Sequence, residues 1–230
     1  MIEKSHNLIQ QDFKIPVSVV FLGPPASGKG TAASYLKEKF NIESVSPGNI
    51  FKRIRYENSE LAKLVIETTK DGGLCPDWLT NEIVKNEAEK LISNGAQSIT
   101  LDGFPRTVEQ LNFLNKNFDV KLFLYASTHW MTLKKMVSCR RNCKTCNKVF
   151  STKSIPDCDK KTSDTCASNS VLNWEQRWDD TPELFTKRFN VYKKETLPVI
   201  KKVSKYQNFI KVDLFKNESY ELIENYLFLK

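Results

Sequence analysis

Histidine is nearly absent from this chain: His6 and His129 are the only two in 230 residues, and neither stands at metal-ligand spacing. His129 lies between a strand-like run and a helical one, which suits a cap or a surface position. No apolar run approaches the roughly 18 residues that cross a bilayer, so no membrane partner is expected. Residues 1–14 contain Glu3 and Asp12 and no apolar stretch. They are expected to be neither a secretory signal nor an organellar targeting segment, which points to the cytoplasm. Internal repeats and low-complexity segments are also missing.

What is present is an ordinary globular balance, 40% hydrophobic and 27% charged, with a formal charge of +8. That length can bury one sizeable core with small insertions. The basic excess favours anionic ligands without choosing among nucleotides, nucleic acid and acidic lipid. Five of the six cysteines fall between Cys139 and Cys166; the sixth is Cys75. Without a secretory signal, that clustering favours a metal site over disulfides.

Periodicity predicts strands at 17–22, 98–101, 120–125 and 209–212. Helices are expected at 31–40, from Ser46-Pro47, and at 59–70, 77–93, 181–203 and 219–229. The alternation implies an α/β fold with a mainly parallel sheet. Residues 139–176 break the pattern and read as an insertion with its own staple.

The strongest signal is Gly23, Pro24, Pro25, Ala26, Ser27, Gly28, Lys29, Gly30 and Thr31. This G-x-x-x-x-G-K core follows a strand and precedes a helix, the context a phosphate loop needs. Its glycines let backbone N–H groups converge on phosphate oxygens, the helix start adds positive potential, and Lys29 adds a mobile charge. Further on, Asp102 ends a strand at the sheet's carboxyl edge, where it can hold the water shell of a magnesium ion. Arg106 offers a bidentate fork for phosphate. Gln110 carries the donor and the acceptor that an adenine edge requires.

The Gly-Lys-Gly-Thr ending resembles the adenylate kinase family, and so does Asp102-Gly103-Phe104-Pro105-Arg106 with Gln110 after it. Arg140, Arg177 and Arg188 also match, and the likeness runs from about residue 17 to the C-terminus. It implies a three-layer P-loop kinase core (1–45, 76–137, 177–230), an AMP-binding helical insertion at 46–75 and a lid at 138–176. Lys29, Arg106, Arg140, Arg177 and Arg188 are then the transfer centre, with ATP on residues 23–31 and Arg140. AMP is expected on Pro47, Lys52, Arg53, Cys75, Gly103, Arg106, Gln110, Arg177 and Arg188. The implied reaction moves the terminal phosphoryl group of ATP onto AMP, with Mg2+ on the nucleotide and a monomeric enzyme. GTP as donor stays open, and so does a protein that binds nucleotide with little turnover. Pro47, Asn49, Lys52 and Met136 depart from the family pattern, as does Ala26 where glycine is usual.

Cys143 and Cys146 form a C-x-x-C, the spacing of a zinc knuckle. With Cys166 they resemble the zinc-stapled lid of some adenylate kinases, the fourth ligand being Cys158, Asp159 or Asp164. Such a zinc is structural. A zinc-ribbon nucleic-acid binder fits less well, because aromatics are not interleaved with the lid's basic residues; no nucleic-acid partner is expected.

Overall fold

The computed structural model describes residues 14–143, 149–151 and 174–228. The chain opens with β1 (Ile15–Leu22), α1 (Lys29–Phe40) and β2 (Glu43–Val45). Three helices follow, α2 (Pro47–Ile54), α3 (Glu60–Thr69) and α4 (Asp77–Ser93). Next come β3 (Ile99–Asp102), α5 (Val108–Asn117), β4 (Phe118–Ala126) and α6 (Trp130–Cys139). Short strands β5 (Arg140–Cys143), β6 (Val149–Ser151) and β7 (Trp174–Glu175) precede α7 (Pro182–Val191). A π-helical turn, Tyr192–Thr196, joins α7 to α8 (Leu197–Val203), before β8 (Phe209–Val212) and α9 (Glu218–Phe228).

The central sheet has the order β2-β3-β1-β4-β8, and every pairing is parallel. β1 sits in the middle and is apolar almost throughout, as a strand covered on both faces must be. It gives Ile15, Val17, Val20 and Leu22 to one core, and Val19 and Phe21 to the other. The alternation skips a residue at Ser18, where the register against β3 also shifts. The leftover hydroxyl is satisfied by Ser98 Oγ at 2.6 Å. One core is closed by α4, α5 and α8 through Val84, Leu111 and Val199, the other by α1 and α9 through Leu36 and Ile223.

Two smaller units flank this frame. α2, α3 and the start of α4 share a core of Phe51, Ile54, Ala62, Val65, Cys75 and Leu79. β6, β5 and β7 make an antiparallel sheet. The helix expected over 181–203 is continuous in direction but changes its ladder near the middle. Pro198 has no N–H for the carbonyl one turn back, and the ladder widens to a π turn just before it. Among the described residues no helix is long and apolar enough to cross a membrane.

Candidate active site

The site forms at the carboxyl edge of the sheet, where the loops after β1, β3 and β4 emerge together. Residues 23–28 link β1 to α1. Gly28 caps the helix with φ 87°, a conformation natural to glycine. Gly23 passes so close to β4 that an added Cβ would stand 2.7 Å from the Ala126 carbonyl oxygen. Ala26 adopts φ 65° although it carries a Cβ, so this chain holds a left-handed turn without glycine there. Lys29 Nζ donates to the carbonyls of Gly23 (3.1 Å) and Pro24 (2.7 Å) and to Ser27 Oγ (3.2 Å). All three acceptors are neutral, so an anion on the loop can outbid them for the ammonium.

The loop after β3 supplies Asp102 and Arg106. Gly103 has φ 74°, and an added Cβ would meet Arg106 Nη2 at 2.8 Å. Arg106 Nε donates to the Gly103 carbonyl at 2.8 Å, which lays the guanidinium back over the turn. Thr107 caps α5 by accepting from Gln110 N–H at 3.1 Å. The third group comes from the chain after β7. Arg177 grips Asp179 with two bonds, Nε to Oδ1 at 3.1 Å and Nη2 to Oδ2 at 3.2 Å. Arg188 Nη1 stands 2.9 Å from the other side of the same carboxylate. Arg140 grips Asp180 the same way, through Nε at 2.8 Å and through Nη2. Asp179 and Asp180 stand in the run after Arg177 that matches the family, but sequence alone assigns them no role. Two adjacent acids beside arginines are the available signal, and they serve as anchors that aim the guanidiniums.

Lys29, Lys52, Arg106, Arg140, Arg177 and Arg188 are close enough to perturb one another. Burial brings Lys29 down to about 8; Arg106, Arg188 and Arg140 add to the fall, and Asp102 opposes it. Burial also brings Lys52 to about 8, with Arg177 contributing and Asp179 opposing. Arg188 falls to about 10, mainly through burial. Burial pushes the Asp179 carboxyl up, but Arg188, Arg177 and Lys52 outweigh it and hold it at about 2. Cations that lower each other's affinity for protons form a site suited to a polyanion.

A model of the adenylate kinase family matches residues 21–208. The adenylate kinase of Thermosipho africanus is 38% identical over 189 residues, covering 80% of this chain and 86% of the relative. That of Ureaplasma urealyticum is 34% identical over 214 residues, covering 92% and 98%. That of onion yellows phytoplasma is 36% identical over 204 residues, covering 86% and 91%. The chain belongs to the adenylate kinase family. As an adenylate kinase family member it is a nucleoside monophosphate kinase, and the parallel five-stranded sheet flanked by helices is the α/β core expected of one.

Within that family frame one set of the expected site residues converges, and the others are placed individually. Lys29, Lys52, Arg106, Arg140, Arg177 and Arg188 come together. Pro47 is buried at the first position of α2. Arg53, next to Lys52, is exposed and lines a cleft of about 200 Å³ with Asn49, Gly30 of the phosphate loop and Asp102. Cys75 is buried in the small core of α2 and α3, with Thr68 Oγ1 3.5 Å from its sulfur, and burial pushes the thiol up. Gln110 is almost fully buried and is held at both ends of its amide. His129 caps α6 by accepting from Met131 N–H at 3.3 Å, the capping role its position suggested.

For magnesium, Asp102 is the fitting group. A Cβ on Gly30 would stand 3.4 Å from Asp102 Oδ2, so glycine at 30 leaves that carboxylate uncovered beside the loop. Thr31 is exposed in the first turn of α1. These hard oxygens suit Mg2+ or its waters. The side chain of Cys143, and all of Cys146, Cys158 and Cys166, lie outside the described residues, and no metal-holding cluster occurs among those described.

Proposed function

We propose that this chain reversibly transfers the terminal phosphoryl group of ATP to AMP, giving two ADP. The observation that carries the reading is the convergence of Arg106, Arg140 and Arg188 on Lys29 of the phosphate loop, with Arg177 beside Arg188. Phosphoryl transfer needs little covalent help from protein. It needs in-line positioning and neutralisation of the equatorial oxygens. Backbone N–H groups of residues 23–31 hold the donor phosphates, and Lys29 can leave its carbonyl partners to follow the moving group. Arg106 and Lys52 hold the acceptor phosphate. Arg177 and Arg188, braced by Asp179, and Arg140, braced by Asp180, face the charge that develops between the two nucleotides. Asp102 would hold Mg2+ or its waters, and the ion would supply neutralisation of phosphate charge.

The substitutions at the acceptor helix do not empty this site of charge. Lys52 stands where the family has arginine and is coupled to Arg177 and Asp179. We further read residues 46–75 and 138–176 as an acceptor-binding insertion and a lid on the P-loop core. The separate core of α2 and α3 and the antiparallel strands β5–β7 support that division. The C-x-x-C at Cys143 and Cys146 supports a structural zinc in the lid, and metal analysis of the purified protein tests it. The deciding experiment is ADP formation from ATP plus AMP in the wild type and in Lys29→Met. The variant is expected to fold and to lose activity by about 10³-fold or more. Full activity in Lys29→Met refutes the assignment.

A further inference from the structure

Gln110 is 2% exposed, and both ends of its amide are held by partners of fixed polarity. Its Oε1 accepts the Arg106 backbone N–H at 2.7 Å. Its Nε2 donates to Asp77 Oδ1 at 2.7 Å. An ionised carboxylate can only accept and a backbone N–H can only donate, so the amide has one permitted orientation. A flipped Gln110 would face oxygen to carboxylate and N–H to N–H. Asp77 is itself fixed, because Thr107 Oγ1 donates to the same oxygen at 3.0 Å. These two bonds use one valence of Oε1 and one of Nε2. The second lone pair and the second N–H remain for a ligand.

We propose that Asp77 is a positioning residue that sets acceptor-base specificity by fixing the polarity of the Gln110 amide. The inference rests on the reading that Gln110 meets the base of the monophosphate. A 6-aminopurine presents an acceptor at N1 and a donor at its amino group. It therefore needs Nε2 and Oε1 in the order that Asp77 and Arg106 enforce. A 6-oxopurine presents N1–H and O6, the reverse order, and meets two repulsive contacts unless the amide flips. The flip is what the Asp77 carboxylate prohibits. Discrimination here is the cost of the wrong polarity as much as the gain from the right one.

The test is kcat/KM for AMP and for IMP, with ATP as donor, in the wild type, Asp77→Asn, Gln110→Leu and the double variant. Asparagine can present its own N–H or its oxygen to Gln110, so it removes the carboxylate half of the lock, leaves the Arg106 N–H as the remaining half, and keeps the size. The AMP-to-IMP preference is expected to fall by about tenfold or more in Asp77→Asn, with KM for ATP unmoved. In the Gln110→Leu background the same change should leave the preference unaltered. Equal losses for AMP and IMP in Asp77→Asn, or an unchanged preference, overturn the proposal. If Gln110→Leu itself leaves the preference unchanged while the wild type transfers to AMP, the underlying reading of Gln110 fails. If the Asn variant does not fold, Asp77→Ser gives the same readout, since serine also suits the first turn of a helix.

Discussion

Replacing Asp179 with asparagine removes the one carboxylate that Arg177 and Arg188 share while keeping its shape. The folded-state value lies at about 2 against an ordinary 3.8. That difference corresponds to about 2–3 kcal/mol of stabilisation at neutral pH, at roughly 1.4 kcal/mol per unit. The sign follows from the depression. The contribution is full above the unfolded value and is lost as pH falls through the folded one, so about half survives at pH 3. For a chain of this length a loss of about 2–3 kcal/mol lowers the melting temperature by roughly 4–12 °C. Urea unfolding of wild type and Asp179→Asn at pH 7 and pH 3 measures it. The gap should be about twice as large at pH 7. The two arginines also lose their aim, so kcat should fall by about 10². A stability gap that does not change between the two pH values would show that shape, not charge, holds this group, and would refute the reasoning.

Lys29 and Lys52 both sit at about 8 in the free protein, against 10.5. kcat/KM should therefore decline above about pH 8 as the two cations lose their protons, while kcat, read in the nucleotide complex, declines only at higher pH. The same groups penalise the fold below about pH 8, and this penalty fades as pH rises from 8 towards 10.5, which urea unfolding across that range would report. Gly72 and Gly95 provide a matched pair, with φ of 77° and 96°. Alanine at either should cost about 1 kcal/mol of backbone strain. At Gly72 the new Cβ would also stand 2.8 Å from Arg188 Cγ, whereas at Gly95 it meets nothing within 4 Å. Gly72→Ala should lower kcat and Gly95→Ala should not; equal activities would disprove a role for Gly72 in seating Arg188. Thr107→Val should loosen Asp77 and lower thermal stability by about 1 kcal/mol through the lost cap of α5.

Much of the fold was readable from local pattern. The span 77–93 coincides with α4, 209–212 with β8, and Ser46-Pro47 does open α2. These segments combine an apolar period with a clear start or stop. β2 had no such reading, being only three residues long, and α5 had none because its apolar positions are few and its turns polar. The π turn before Pro198 was likewise invisible, since the flanking sequence is uniformly helical in pattern. Neighbours on a helix point about 100° apart, so Lys52 acts on Arg177 and Asp179 while Arg53 lines the cleft that holds Gly30 and Asp102. Cys75 is placed at the acceptor site by its position in the chain, and the structure adds that its side chain belongs to the small core of α2 and α3.

The sequence alone settled the phosphate loop, the strand and helix that carry it, and the set of cations available for phosphate. Those features depend on glycine, proline and hydrophobic spacing over a few residues, where backbone sterics decide the outcome. Only the tertiary structure decided which carboxylate holds which arginine. Asp179 and Asp180 are adjacent in the chain, but one binds Arg177 and Arg188 and the other binds Arg140. It likewise decided that Asp77 and Gln110 meet. Such pairs join residues far apart in sequence. They are chosen by how helices pack on the sheet and by the cost of leaving a buried charge or amide unpaired, neither of which is written in any one segment.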